Sequence, residues 1–90
     1  MGEQRAYSVR VELLRPKETS YERLARDMYK SGFRHLFKND KGDWVQLPRG
    51  SFVISTADSA ETVRKRAMQL ATALDPAALV KLSPIINWAA

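Results

Sequence analysis

Between two helix-patterned segments this chain carries one hairpin, and that placement restricts the fold more than any other feature. Asn39-Asp40-Lys41-Gly42-Asp43 is turn chemistry: Asn and Asp side chains bond neighbouring backbone, and Gly supplies positive φ. The turn joins Phe33–Phe37 to a longer arm, Val45–Thr56, which Pro48-Arg49-Gly50 interrupts. Upstream, Tyr7, Val9, Val11 and Leu13 alternate with Ser8, Arg10 and Glu12, the period of two of a strand buried on one face. Pro16 stops that strand. Thr19-Ser20-Tyr21-Glu22 reads as a capping box and opens a helix to about Lys30, with Tyr21, Leu24, Ala25 and Met28 facing inward. Gly32 then falls just past the helix end, where positive φ costs Gly little. A second box, Asp58-Ser59-Ala60-Glu61, opens a helix whose stripe is Ala60, Val63, Ala67, Leu70, Ala71 and Leu74. Asp75-Pro76 ends it. Val80–Ile86 is the last strand, with Pro84 marking an edge or a bulge.

The order strand, helix, strand, strand, helix, strand is the split βαβ plan. It predicts an α+β, ferredoxin-like βαββαβ sandwich, with a four-stranded antiparallel sheet and two helices on one face. One domain is expected over residues 1–90, with 1–5 disordered. Two helices cover one sheet face only. Ser8, Arg10 and Glu12 point to the other. The phase of Phe52, Val53 and Ile54 stays open because all three are apolar, as in a centre strand covered on both sides. That run leads to the expectation of a homodimer joined through the open face or an edge strand.

Fifteen Lys and Arg against ten Asp and Glu leave a net charge of +5, which favours polyanionic partners without specifying one. There is no cysteine, so disulfides, thiolate catalysis and Cys-based zinc sites are excluded. The N-terminus, Met1-Gly2-Glu3-Gln4-Arg5, has no apolar signal core, and no apolar run reaches membrane-spanning length. A cytoplasmic protein with no membrane partner is expected. Gly-rich phosphate loops, zinc spacings and nucleophile elbows are all missing, so no cofactor and no metal ligands are assigned.

Single residues carry what chemistry remains. The sole histidine, His35, sits on the second strand beside Arg34 and Lys38. Histidine is the usual general acid or base near neutral pH; the plain alternative is a surface strand residue among solvated charges. One histidine excludes the two-histidine type of ribonuclease within one protomer. Arg23 and Arg26 share a helix face, and Arg10, Arg15 and Lys17 lie near that helix's start. Guanidinium forks suit bidentate phosphate contact, while Arg64, Lys65 and Arg66 read equally well as a solvated face. Trp44 is placed to stack a base or to pack over the sheet. Trp88 reads as an anchor for the final segment. Asp40 and Asp43 are turn residues before they are a metal pair.

The set Met28-Tyr29, Phe33, Asp40, Gly42, Gln46-Leu47, Ser51-Phe52, Ile54 and Thr56, followed by the Ala60 helix, resembles the GhoS family. The likeness runs over roughly residues 21–61 at matching spacing. It implies a small ferredoxin-like antitoxin of a type V toxin–antitoxin system, an endoribonuclease that cleaves the messenger RNA of its membrane toxin. Two departures stand out. Where the family carries Asp-aromatic-Pro after the first strand, this chain reads Leu13-Leu14-Arg15-Pro16, and a family arginine two positions past Arg23 is here Ala25, with Arg26 one further on. The expected metal-independent catalytic residues are Arg23, Arg26 and His35. The expected RNA-binding residues are Arg10, Arg15, Arg34, Lys38, Trp44 and Arg49. Two rivals remain open. Arg49-Gly50-Ser51-Phe52-Val53-Ile54 faintly echoes RNA-recognition motifs, pointing to a non-catalytic RNA-binding module, and a homodimeric protein- or effector-binding domain needs no enzymatic activity. Exposed aromatics on the open sheet would favour the module, a basic cleft the nuclease, and a dry apolar face the interaction domain.

Overall fold

The computed structural model describes residues 4–85. In chain order the elements are β1 (Arg5–Glu12), α1 (Ser20–Lys30), β2 (Leu36–Lys38), β3 (Trp44–Gln46), β4 (Ser51–Thr56), α2 (Ala60–Leu74) and β5 (Leu79–Pro84). β1 is the centre of a three-stranded antiparallel sheet ordered β4-β1-β5, and β2 and β3 form a separate two-stranded sheet.

Register decides which residues meet the helices. Tyr7 lies opposite Ile54 and Val9 opposite Phe52. These four share one buried cluster with Leu24 and Met28 of α1 and with Val63, Ala67 and Ala71 of α2. The open phase is thereby resolved: Phe52 and Ile54 point at the helices, and Val53, opposite Ser8, points away. Leu24 and Met28 are both fully buried, and burial of a side chain that size contributes about 1.5–3 kcal/mol. Leu70 and Leu74 pack only partly against the cluster, and Ala60 is exposed.

Helix ends explain the element boundaries. At the end of α1, Gly32 has φ of 97°. Its N–H donates to Tyr29 O at 3.1 Å while Phe33 N–H donates to Met28 O at 3.0 Å, the paired bonds of a left-handed helix terminus. Phe33 is buried in one cluster with Met28, and the strand expected from Phe33 starts only at Leu36. The capping box at Thr19 does not form: Thr19 makes no side-chain cap bond, and Ser20 Oγ instead accepts from Lys17 N–H at 2.8 Å. At α2 the cap is Ser59, whose hydroxyl accepts from Thr62 N–H at 3.2 Å. Asp58, expected to share that box, bonds Arg66 at 2.9 Å instead, and this guanidinium holds its carboxyl below the ordinary range. Past α2, Asp75 is buried and accepts from Arg15 N–H at 2.9 Å and Ala77 N–H at 3.0 Å. It thereby ties the loop after β1 to the end of α2. These backbone donors hold its carboxyl below the ordinary aspartate value.

The single four-stranded sheet is not formed. Arg34 and Val53 exchange both backbone hydrogen bonds, at 2.8 and 2.7 Å, but this bridge is isolated. One residue later, His35 O accepts from Leu47 N–H at 2.8 Å. Residue 34 thus pairs with 53 while 35 pairs with 47, and residues 48–52 are extra length in one arm. An insertion of that size bends and twists a strand pair, so the outer hairpin leaves the plane of the main sheet. Pro48-Arg49-Gly50 does interrupt the arm, with β3 on one side and β4 on the other. The hairpin turn forms as expected: Asn39 Oδ1 accepts from Lys41 and Asp43 N–H at 3.0 and 2.9 Å.

Arg5 is the first residue of β1, and the rest of the segment expected to be disordered, up to residue 3, lies outside the described residues. The last strand runs Leu79–Pro84, and the parts assigned to Ile86 and Trp88 lie outside the described residues. The helix-free face exposes Ser8, Arg10, Lys81 and Ser83, in keeping with the outward phase read for β1.

Candidate functional site

The inserted residues 48–51 form the wall of a notch of about 230 Å³ against α1. From α1 it receives Tyr21, Glu22 and Ala25, from the hairpin His35 and Gln46, and from the bulge Arg49 and Ser51. Each wall has a local cause. Tyr21 is half-buried because its hydroxyl reaches back across the sheet end to accept from Leu13 N–H at 3.1 Å. Gly50 comes close to β1, its carbonyl accepting from Val11 N–H at 2.7 Å. A Cβ on Gly50 would lie 2.5 Å from Val11 O and 3.1 Å from the Tyr21 ring, and φ there is 81°. Only glycine fits that approach. Next to it the Arg49 guanidinium sits 5.5 Å from the Tyr21 ring centroid, a cation–π distance that keeps the charge over the notch.

His35 is half-buried, its backbone fixed on both sides by the pairings of Arg34 and Leu47. Among the described residues no hydrogen bond or ion pair engages the His35 imidazole, the Glu22 carboxylate or the Gln46 amide. The notch thus gathers an unengaged imidazole, carboxylate and amide with a guanidinium that rests against the Tyr21 ring. That set suits proton transfer beside a developing anionic charge.

The nine residues singled out from the sequence scatter over the surface. His35 and Arg49 come together in the notch. Arg26 follows Glu22 by four residues, hence one helical turn further along the same side, whereas Arg23 is turned roughly 100° from Glu22; both are exposed and neither lines the notch. Arg34 is held elsewhere, its Nη1 donating to Tyr29 O and Phe33 O at 3.1 and 3.0 Å and its guanidinium 4.1 Å over the Tyr29 ring. It closes the end of α1. Lys38 and Trp44 pair on the hairpin, the ammonium 5.8 Å from the indole, and Trp44 is 68 % exposed. Arg10 lies on the helix-free face, and Arg15 is exposed on the loop before α1. Glu22, Gln46 and Tyr21 are the notch residues missed in the sequence. Glu22 was hidden by its spacing from Thr19, which imitates a cap.

On the opposite side of the hairpin, a groove of about 690 Å³ separates it from the helix-free face. Phe37, Leu47, Val53 and Ile85 form its apolar part, with Lys38, Lys41, Asp40 and Asp43 along the rim. Leu47 lines both hollows. No aromatic residue stands on the open face of β1, β4 or β5, which is where a base-stacking module would carry them.

Among the described residues no helix is long and apolar enough to cross a membrane. A family model described as Endoribonuclease GhoS matches residues 1–83. No curated protein and no solved structure gave a match.

Proposed function

Because the chain belongs to the GhoS endoribonuclease family, we propose that it is an antitoxin that cuts single-stranded RNA, the messenger of a cognate toxin, at the bulge notch. The observation that carries this reading is the convergence of unengaged His35 and Glu22 with Arg49 around one hollow. In this reaction the RNA's 2′-oxygen attacks the adjacent phosphorus. Its proton passes to the Glu22 carboxylate, the bond from phosphorus to the 5′-oxygen breaks, and His35 delivers a proton to that leaving oxygen. Arg49 balances the charge that builds on the phosphoryl oxygens, and Arg26 stands at the rim for a neighbouring phosphate. Gln46 offers an amide to a base edge. The products are a 2′,3′-cyclic phosphate and a 5′-hydroxyl.

The element order and the Arg34–Val53 bridge support a ferredoxin-like plan in which β2 is the fourth strand, displaced by the bulge. For assembly we favour a homodimer through the outer edge of β5, since among the described residues β5 pairs with β1 alone and the exposed part of the helix-free face is polar. The decisive experiment for function is product analysis with purified protein and single-stranded RNA in EDTA. Cyclic phosphate ends, lost in His35→Ala, support the reading. A strict magnesium requirement with 5′-phosphate ends overturns the mechanism, and no cleavage of any RNA leaves a binding domain.

A further inference from the structure

On the helix-free face, Ser51 of β4, Arg10 of β1 and Lys81 of β5 lie directly opposite one another in register, one row across three strands. Neighbouring strands are about 4.8 Å apart, so the Arg10 and Lys81 side chains rise from adjacent points on the same side. Like charges directly opposite in a sheet are destabilising. Among the described residues neither cation is in an ion pair, and both are exposed. The next row along the face, Val53, Ser8 and Ser83, carries no charge to offset the two cations, and the hairpin stands over its Val53 and Ser8 end. The row also has a direction. Ser51, its first member, is part of the notch wall.

We infer that this row is a phosphate track, holding the backbone of the single-stranded RNA flank that leaves the notch over the edge of β4. The inference rests on the RNA reading above but not on cleavage. A polyanion resolves the repulsion between Arg10 and Lys81, and an extended strand meets both because they project side by side. The track reads charge and not bases: Arg10 and Lys81 meet phosphates, and Ser51 is the rest of the row. It accounts for two of the cations in the +5 excess that the notch does not use. Glu12, diagonal to Lys81 and opposite Leu79, closes the track toward the far end of the sheet, so the strand follows the row across rather than along the strands.

The test is binding of a single-stranded RNA 2′-O-methylated at every position, which its own 2′-oxygen does not cut, followed by fluorescence anisotropy over a salt series. Each phosphate neutralised on a single strand contributes about −0.7 to the slope of log K against log salt. Arg10→Ser with Lys81→Ser is expected to flatten the slope by about 1.4 and to weaken binding about tenfold at low salt. Lys81→Ser alone should flatten it by about half as much. Circular dichroism and thermal melting keep the variants comparable, and losing a like-charge pair should leave the melting temperature unchanged or higher. Arg64→Ser with Lys65→Ser, on the exposed face of α2, should leave the slope as it was. An unchanged slope in the Arg10 and Lys81 variant, or an equal loss in the Arg64 and Lys65 variant, overturns the track. Cleavage of unmodified RNA is followed in parallel. Cleavage with an unchanged slope removes the track and leaves the proposed reaction, whereas a flattened slope without cleavage removes the reaction and leaves the track.

Discussion

At the scale of single residues, the proposed reaction divides the proton work between His35 and Glu22. His35→Ala is expected to lower kcat by about 10²–10⁴-fold, and Glu22→Gln by a factor in the same range. Steady-state rates check both, and a variant that cuts as fast as the unaltered protein would remove that residue from the reaction. Gly50 is a different kind of residue, needed for space. Gly50→Ala places a Cβ at 2.5 Å from Val11 O at a φ of 81°, so denaturant unfolding should register a loss of about 1–3 kcal/mol. His35 was legible in the sequence because it is the one histidine. Glu22 was not, because three-residue spacing from a threonine imitates a capping box whether or not the bonds form.

Among the elements, the two helix starts look alike in sequence and differ in structure. Ser59 caps α2 through Thr62 N–H, while Thr19 makes no side-chain cap bond. Ser59→Ala should therefore cost about 1 kcal/mol, and Thr19→Ala should change stability little. Equal losses in chemical denaturation would refute the distinction. Asp75 joins elements rather than starting one, and it brings a pH dependence. Backbone N–H donors, Arg15 first, hold its carboxyl below the ordinary 3.8, and the Arg66 guanidinium does the same for Asp58. Both values rise when the chain unfolds, so the unfolded state takes up protons that the folded state does not. Their stabilisation is complete above the ordinary value of 3.8 and is lost as pH falls through the lower folded values. Melting temperature should hold steady at neutral pH and decline below that point. Asp75→Asn should be less stable at neutral pH and show a shallower decline in acid; an unaltered acid limb would mean that Asp75 does not contribute.

For the whole molecule, the open questions are where charge goes and whether copies pair. The helices bury one face of the main sheet, the hairpin overhangs part of the other, and what remains is polar with Arg10 and Lys81 at its middle. The proposed dimer therefore uses the edge of β5 that is unpaired among the described residues. Sedimentation at micromolar concentration should give a species of twice 10.2 kDa. A clean monomer in the unaltered protein would retire the dimer.

What the sequence determined by itself was local: the order of elements, the Gly32 terminus of α1, the Asn39–Asp43 turn and the break at Pro48-Arg49-Gly50. Each depends on a period or on backbone chemistry contained within a few residues, and those forces act the same in any fold. Only the tertiary structure decided the phase of Phe52, Val53 and Ile54, because three apolar residues carry no alternation and the choice comes from which face α1 and α2 cover. It also decided that five extra residues in one arm bend the hairpin out of the main sheet rather than lengthen it. That bend places His35 beside Glu22 and Arg49 and leaves Arg23 on the solvent side of α1. A notch formed by residues between 21 and 52 arises from the packing of helix against bulge, and nothing in the spacing of those residues along the chain encodes it.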